Sequence, residues 1–342
     1  MSKSAGSLTF PGFDSPLAKY IQKAQSDMLT HWHNPFEWVM NSLFQMSDAA
    51  NHAVENLLVH QKESLNLFLG PVAGASTKPI PLDNATLASK GRIETTNVAV
   101  VTGGIGGIGT EICKRFYDDG HQVIATYIAM ETERAEQWQL EHLKAGYDFD
   151  IVECDVTDFE RCKVVARQLE KSYKHIDILV NCAGITRDAT LKNMDPDKWQ
   201  AVIETNLNSV FNVSRQFVDG MARRRYGRII NISSVNGQKG QFGQTNYATA
   251  KAGIIGFSKA LALELADQGI TVNSVCPGYV GTEMVEAIPE DIKNSIIAKI
   301  PVGRLAKPSE IADAVSFLAA ENSGYITGSE ISVNGALFTG IA

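Results

Sequence analysis

Cysteine, histidine and positive charge are all scarce in this chain of 342 residues. The five cysteines, at 113, 154, 162, 182 and 276, are odd in number, scattered, and never spaced as Cys-x-x-Cys. That pattern excludes a disulfide framework and points to buried thiols in a reducing compartment. No histidine follows His175, which removes histidine-based catalysis from the later part of the chain. His31 and His33 form a close pair, but no cysteine or further histidine lies near them. They read as surface imidazoles on a helix end, and no metal site is expected. Lys and Arg number 31 against 38 Asp and Glu, a net charge of -7. The basic footprint of a nucleic-acid binder is therefore missing. No apolar run approaches the roughly 20 residues of a membrane span. The first residues lack the basic-then-apolar order of a signal peptide. The cytoplasm is the expected location. What is present is ordinary for a globular protein, 44% apolar and 20% charged residues. The length allows one large domain, or one domain with an appendage.

The appendage comes first, over residues 1–94. Ser15-Pro16 and Asn34-Pro35 are helix-start signals, a capping residue followed by proline in the first turn. Leu17, Tyr20, Ile21, Ala24 and Met28 follow helical spacing, as do Phe36, Val39, Met40, Leu43 and Phe44. The spacing predicts two helices, the second long and ending at Gly70-Pro71. A glycine- and proline-containing linker follows, over 71–94. Two helices alone bury little surface, so they need something to pack on.

From Asn97 onward, short β-branched runs alternate with helical stretches. Strands are predicted at Val98–Thr102, Gln122–Tyr127, Asp150–Cys154, Ile178–Asn181, Arg228–Ser233, Thr271–Pro277 and Glu330–Asn334. Alternation of this kind predicts an α/β fold, a doubly wound parallel sheet of Rossmann type over residues 95–342, with the helical amino-terminal extension attached. Its ligand belongs at the carboxyl ends of the strands. Between the first strand and its helix lies Thr102-Gly-Gly-Ile-Gly-Gly-Ile-Gly109. Gly103, Gly107 and Gly109, with Ile105 and Ile108 between them, suit a tight turn whose backbone approaches a pyrophosphate at a helix amino terminus. The second strand ends Ala125-Thr126-Tyr127-Ile128-Ala129, without the carboxylate an NAD site commonly uses there. Arg134 is the first cation beyond it, so NADPH is the expected cofactor and Arg134 the reader of its extra phosphate. The alternative for Arg134 is a solvated charge on a helix.

The chemistry concentrates in Asn231–Lys251. A buried strand ends in Ser233 and Ser234, a polar glycine-rich loop follows, and Tyr247 and Lys251 open a helix. Residues four apart share a helix face. A phenol titrates at roughly pH 10, and a neighbouring ammonium lowers that value. Such a phenol can act as a general acid or base. Ser234 can bond the same substrate oxygen. Taken alone, Tyr-x-x-x-Lys is common, and a Tyr and Lys on an ordinary helix face is the bland reading.

These motifs stand in order with Asn181-Cys-Ala-Gly184, Asn206 and Pro277-Gly278. Together the chain resembles the short-chain dehydrogenase/reductase superfamily over about residues 95–342. One departure is Cys182, where the family usually has a second asparagine. Gly184-Ile-Thr-Arg-Asp188, the run Ser233–Tyr247 and Pro277-Gly-Tyr279 are similar to a narrower group, the acetoacetyl-CoA reductases of polyhydroxyalkanoate synthesis. The resemblance implies NADPH-dependent reduction of a 3-oxoacyl thioester to the (R)-3-hydroxyacyl product. It implies a catalytic set of Asn206, Ser234, Tyr247 and Lys251. Asn206 would bend a helix and hold a water, and Lys251 would hold the nicotinamide ribose. Asp155 and Val156 would border the adenine. Asn181, Ala183, Gly184, Pro277, Gly278, Val280 and Thr282 would line the cofactor. Asp188, Gln241, Phe242, Gln244 and Tyr279 would line the substrate, and residues 280–300 would form a lid. Arg187, Lys192, Lys239 and Arg304 are available for the phosphates of coenzyme A. The resemblance also implies a homotetramer built on long helices over 195–225 and 247–267 and on the final segment. Two other readings stay open. One is a 3-oxoacyl-[acyl-carrier-protein] reductase; the other is a protein that docks to a granule or a pathway enzyme through residues 1–94.

Overall fold

The computed structural model describes residues 97–286 and 289–340. The two expected amino-terminal helices, the linker over 71–94 and the His31–His33 pair lie outside those residues. Seven parallel strands form one sheet: β1 (Val98–Thr102), β2 (Gln122–Tyr127), β3 (Asp150–Glu153), β4 (Ile178–Asn181), β5 (Gly227–Ile232), β6 (Ile270–Pro277) and β7 (Glu330–Val333). Their order is β3-β2-β1-β4-β5-β6-β7, so the chain reverses its direction of winding between β1 and β4. A crevice opens at that reversal, outside the carboxyl ends of the strands. The predicted strands match to within a residue at their ends. Cys154, Ser233 and Asn334 fall just beyond their strands.

Helices cover both faces, as parallel strands require. Every residue of β1, β5 and β6 is buried. Alternate strand residues feed two separate cores. Ala99, Val101, Val123 and Ala125 pack with Ile112 and Phe116 of α1 (Gly107–Asp118), Trp138 of α2 (Thr132–Lys144) and Leu318 of the helix over 308–319. Val98, Val100, Ile124 and Leu179 pack on the other face with Leu169 of α3 (Phe159–Tyr173) and with Phe217 and Met221.

The expected helix over 195–225 is continuous but not uniform. α4 (Pro196–Ile203) runs into a π-helical turn, Glu204–Asn208, and then into α5 (Ser209–Arg224). The bend implied at Asn206 is therefore a π turn, a feature that widens a helix locally. The polar loop after Ser234 contains a short helix, α6 (Val235–Lys239), that its composition does not announce. α7 (Thr245–Leu265) carries Tyr247 and Lys251. The lid segment holds α8 (Glu283–Glu286) and α9 (Glu290–Ile297), and α10 (Pro308–Ala319) returns to cover the first core.

Candidate active site

The glycine loop is tightly constrained in shape. Gly103 has φ +63°, a left-handed conformation, and a Cβ there would lie 2.9 Å from the Ala183 Cα. A Cβ at Gly109 would lie 2.3 Å from the Gly103 carbonyl oxygen. Two threonines fix this corner from strand ends. The Thr102 hydroxyl accepts from the backbone N–H groups of Cys182 and Ala183, at 3.0 and 3.1 Å. The Thr126 hydroxyl accepts from the Gly103 N–H at 3.3 Å. The ends of β1, β2 and β4 are thereby locked together around the crevice. The first turn of α1 has no acidic residue, and its early N–H groups lack helical partners. That backbone cradle fits a dinucleotide pyrophosphate. Thr282 closes over it: a Cβ at Gly107 would meet the Thr282 Cγ2 at 2.9 Å.

Arg134 reaches the same loop. Its guanidinium donates to the Ile105 carbonyl at 3.3 Å and to Glu131 at 2.5 Å. It thus stands beside the glycine loop at the end of β2, half-exposed and with donors to spare. Asp155 accepts from the N–H and hydroxyl of Thr157, at 2.9 and 2.7 Å. The cap of α3 is Asp158, which accepts from the Arg161 N–H at 3.0 Å. Val156 is buried, and its carbonyl accepts from Asn212 at 3.0 Å.

Asn181, expected along the cofactor, also ties the sheet to a helix. Its amide donates to Asn231 at 2.7 Å and to Ser214 at 3.0 Å, inside the sheet-helix layer. Asn231 in turn donates to Ser258 at 2.8 Å, and Ser274 also donates to Ser258. Asn181, Asn231 and Ser274 are register partners across β4, β5 and β6. A polar rung therefore crosses the sheet just under the site and occupies the Asn181 Nδ2. Gly184 lies close to Asn206 and Lys251: a Cβ there would come 3.3 Å from the Asn206 Oδ1 and 3.6 Å from the Lys251 Nζ.

The residues expected to carry the chemistry meet at the carboxyl end of β5. Ser234 caps α6, its hydroxyl accepting from the Asn236 N–H at 3.1 Å, and it also bonds the Tyr247 hydroxyl. Lys251 is buried, donates to the Ile232 carbonyl at 2.8 Å, and its Nζ lies 5.6 Å from the Tyr247 ring centre. Ser233 donates to the Lys251 carbonyl at 2.7 Å, binding the strand end to α7. A Cβ at Gly237 would strike the Lys251 backbone at 2.7 Å, so α6 lies flush against α7.

The electrostatics differ from the expectation of an acidified phenol. Burial pushes Tyr247 up to about 12, a shift partly opposed by the Ser234 hydrogen bond and reinforced by Asp188. Burial pulls Lys251 down to about 8. Desolvation penalises the charged form of each group. The Lys251 ammonium turns to the Ile232 carbonyl rather than to the phenol oxygen. Cys182, in the variant motif position, is a neutral thiol pushed up to about 11 by burial.

Asn206 is completely buried and uses both ends of its amide on the backbone of one residue. Its Oδ1 accepts from the Ile185 N–H at 2.8 Å and its Nδ2 donates to the Ile185 carbonyl at 2.9 Å. On the substrate side, Gln244 donates to Asp188 at 2.8 Å and accepts from Asn236 at 2.9 Å. The Asp188 charge acts on both Tyr247 and Tyr279, raising each. Asp188, Gln244, Tyr279 and Tyr247 are therefore brought together. Gln241 and Phe242 are not: they form an exposed rim, with Phe242 87% exposed. Among the cations proposed for coenzyme A, Arg304 is held by both oxygens of Glu310 at 2.7 and 2.8 Å. That ion pair borders a small cavity of about 140 Å³ that shares Gly278 and Tyr279 with the predicted site. Pro277 ends β6, and Val280 is buried and bridged to Ala306.

Four residues have a part in the site that their sequence context did not assign them: Thr102, Thr126, Asn236 and Asn246. Thr102 and Thr126 sit at or beside strand ends flanking the glycine loop, which is a usable signal. Asn236 and Asn246 act through contacts distant in sequence, and their own neighbours carry no such signal.

Comparison with known proteins agrees with this geometry. The family described as short chain dehydrogenase matches residues 97–293. An acetoacetyl-CoA reductase of Allochromatium vinosum is 54% identical over 241 residues, covering 70% of this chain and 98% of that protein. One from Cupriavidus necator is 50% identical over 246 residues, covering 72% and 100%. A 3-oxoacyl-[acyl-carrier-protein] reductase of Haemophilus influenzae is 43% identical over 241 residues, covering 70% and 98%.

Proposed function

The chain belongs to the short chain dehydrogenase family and is an oxidoreductase, and from that premise we propose that it reduces acetoacetyl-CoA, a 3-oxoacyl-CoA, to the (R)-3-hydroxyacyl-CoA with NADPH. The cluster of Ser234, Tyr247 and Lys251 at the end of β5 carries this reading. Bound NADPH supplies the hydride to the 3-keto carbon. Tyr247, held protonated by its burial, donates its proton to the keto oxygen as negative charge grows there. Ser234 supplies a second donor to that oxygen. Lys251 holds the nicotinamide ribose, Asn206 and its π turn hold the loop that borders the cofactor, and a water there returns the proton to Tyr247. Gly103, Ile105, Gly107, Ile108 and Gly109 cradle the pyrophosphate, and Arg134 takes the extra phosphate. Asp155 and Val156 border the adenine. The backbone of Asn181, Ala183 and Gly184 and the segment with Pro277, Gly278, Val280 and Thr282 complete the cofactor site. Asp188, Gln244 and Tyr279 orient the thioester, with Gln241 and Phe242 on the path of its acyl-CoA arm.

The pathway we infer is polyhydroxybutyrate synthesis in the cytoplasm, by a homotetramer of two-part chains, residues 1–94 and 95–342. The first part would dock the enzyme to polymer granules or to a pathway enzyme. Deleting residues 1–94 and following co-sedimentation with granules tests the docking role, and an unchanged distribution ends it. The reduction itself is tested by turnover of acetoacetyl-CoA with NADPH and with NADH, and by the chirality of the product. The second reading, a 3-oxoacyl-[acyl-carrier-protein] reductase, rests on the likeness to the Haemophilus enzyme. A higher kcat/KM on acyl-carrier-protein substrates than on the CoA thioester would select it.

A further inference from the structure

We propose that Asn246 is a positioning residue, which sets the substrate loop over 185–188 against the helix that carries Tyr247; the proposal rests on the reductase reading above. Asn246 is completely buried and immediately precedes Tyr247. All the hydrogen-bonding groups of its amide are engaged, and each reaches a different segment. Its Oδ1 accepts from the Tyr247 N–H at 2.8 Å, satisfying an N–H at the start of α7 that lacks a helical partner. Its Nδ2 donates to the Arg187 carbonyl at 2.9 Å and to the Lys198 carbonyl of α4 at 3.3 Å.

The Arg187 carbonyl directly precedes Asp188, the carboxylate that acts on both Tyr247 and Tyr279. The Lys198 carbonyl belongs to the helix that leads into the π turn of Asn206. Asn206 grips the other end of the same loop through the backbone N–H and carbonyl of Ile185. The loop is therefore held at its two ends by two buried carboxamides, one on the π turn and one on α7. Gln244, two residues before Asn246, completes the arrangement by bonding Asp188 at 2.8 Å, while Ala189 donates to the Gly243 carbonyl at 2.9 Å. A purely local role would need only the bond to Tyr247. The two long-range bonds bind Asp188 and α4 to the first turn of the catalytic helix, so the distance from Asp188 to the Tyr247 hydroxyl depends on Asn246. The glycine loop and Arg134 share no bond with it.

Asn246→Asp keeps the shape and the acceptor for Tyr247 but removes both donated bonds. Losing one neutral hydrogen bond to the loop and one to α4 predicts a rise in KM for acetoacetyl-CoA of roughly tenfold, with kcat falling less than about threefold. The affinity for NADPH, read by fluorescence titration, should stay within about twofold, because the cofactor cradle does not touch Asn246. Hydrogen exchange should quicken over 185–190 and stay slow over the rest of α7. Asn246→Ser retains a short donor and should fall between the wild type and the Asp variant. An unchanged KM in both variants overturns the proposal. So does a parallel loss of NADPH affinity, kcat and melting temperature, which would make Asn246 a framework residue. Should the wild type fail to turn over acetoacetyl-CoA, the functional reading fails, while the exchange pattern and NADPH affinity still judge the positioning role.

Discussion

At neutral pH the Tyr247 phenol carries its proton, because burial lifts it to about 12. That suits a general acid for reduction, which must hold a proton before it gives one. Tyr247→Phe removes the acid and should lower kcat by roughly 10²–10⁴-fold with NADPH binding intact. The pH profile discriminates further. Lys251, pulled down to about 8, changes charge well before the phenol. The profile of kcat/KM reports groups of the free enzyme. It should fall as pH rises through about 8, following Lys251, and a break near 10 or above would reassign it to Tyr247. Stability has the opposite sign. A buried amine whose pKa falls from 10.5 to about 8 destabilises the cofactor-free fold fully below pH 8, and that penalty is relieved between 8 and 10.5. The shift corresponds to about 3 kcal/mol, against about 1 kcal/mol for the lost bond to Ile232. Lys251→Met should therefore stabilise the cofactor-free protein at pH 7 by about 2 kcal/mol in denaturant melts while losing activity, a trade common at active sites.

Among the elements, the glycine loop gives a sharp contrast. A methyl at Gly109 would collide with backbone at 2.3 Å, which cannot move without opening the turn. A methyl at Gly107 meets the side chain of Thr282, which can rotate or lift with the lid segment. Gly109→Ala should cost more than about 2 kcal/mol of stability, as overpacking against a rigid neighbour does. Gly107→Ala should leave the melting temperature nearly unchanged and weaken NADPH binding. Equal effects on stability would refute the distinction. This loop was legible in the sequence, since its glycines follow a β-branched strand and open a helix. The seven strands were legible for the same local reason. The π turn and α6 were not. The π turn is fixed by Asn206 gripping Ile185, and α6 by the Ser234 cap and by Gly237 lying against the Lys251 backbone. Both depend on contacts between distant segments, which propensity does not record. The charge states of Tyr247 and Lys251 escaped for a related reason. Spacing places the two on one face, but burial, the largest influence on both, decides which form each prefers.

At the scale of the whole molecule, the apolar surface and the cofactor choice make two separable predictions. Arg134 is half-exposed beside the glycine loop; its bond to Ile105 is long at 3.3 Å and its ion pair with Glu131 is at the surface, so the main loss on removing it should be in phosphate binding. A lost charge-assisted bond is worth about 1.5–3 kcal/mol. Arg134→Ala should therefore weaken NADPH binding by roughly 10–100-fold and leave NADH unaffected. Large apolar side chains also remain on helix surfaces away from this site. Leu263 of α7 is 86% exposed, and Phe211 of α5, stacked at 5.9 Å on Phe159, is 50% exposed. Single exposed apolar residues are ordinary. These stand on the two long helices that the homotetramer would use, and a second copy of the same face would bury them in an isologous contact. A charge placed in the middle of such a contact is desolvated and unpaired, which costs several kcal/mol per ion. Leu263→Glu should thus shift the mass measured by light scattering from tetramer to smaller species. On the isolated chain the substitution is at a solvated position, so circular dichroism should show the fold retained. An unchanged tetramer in this variant would move the interface off α7.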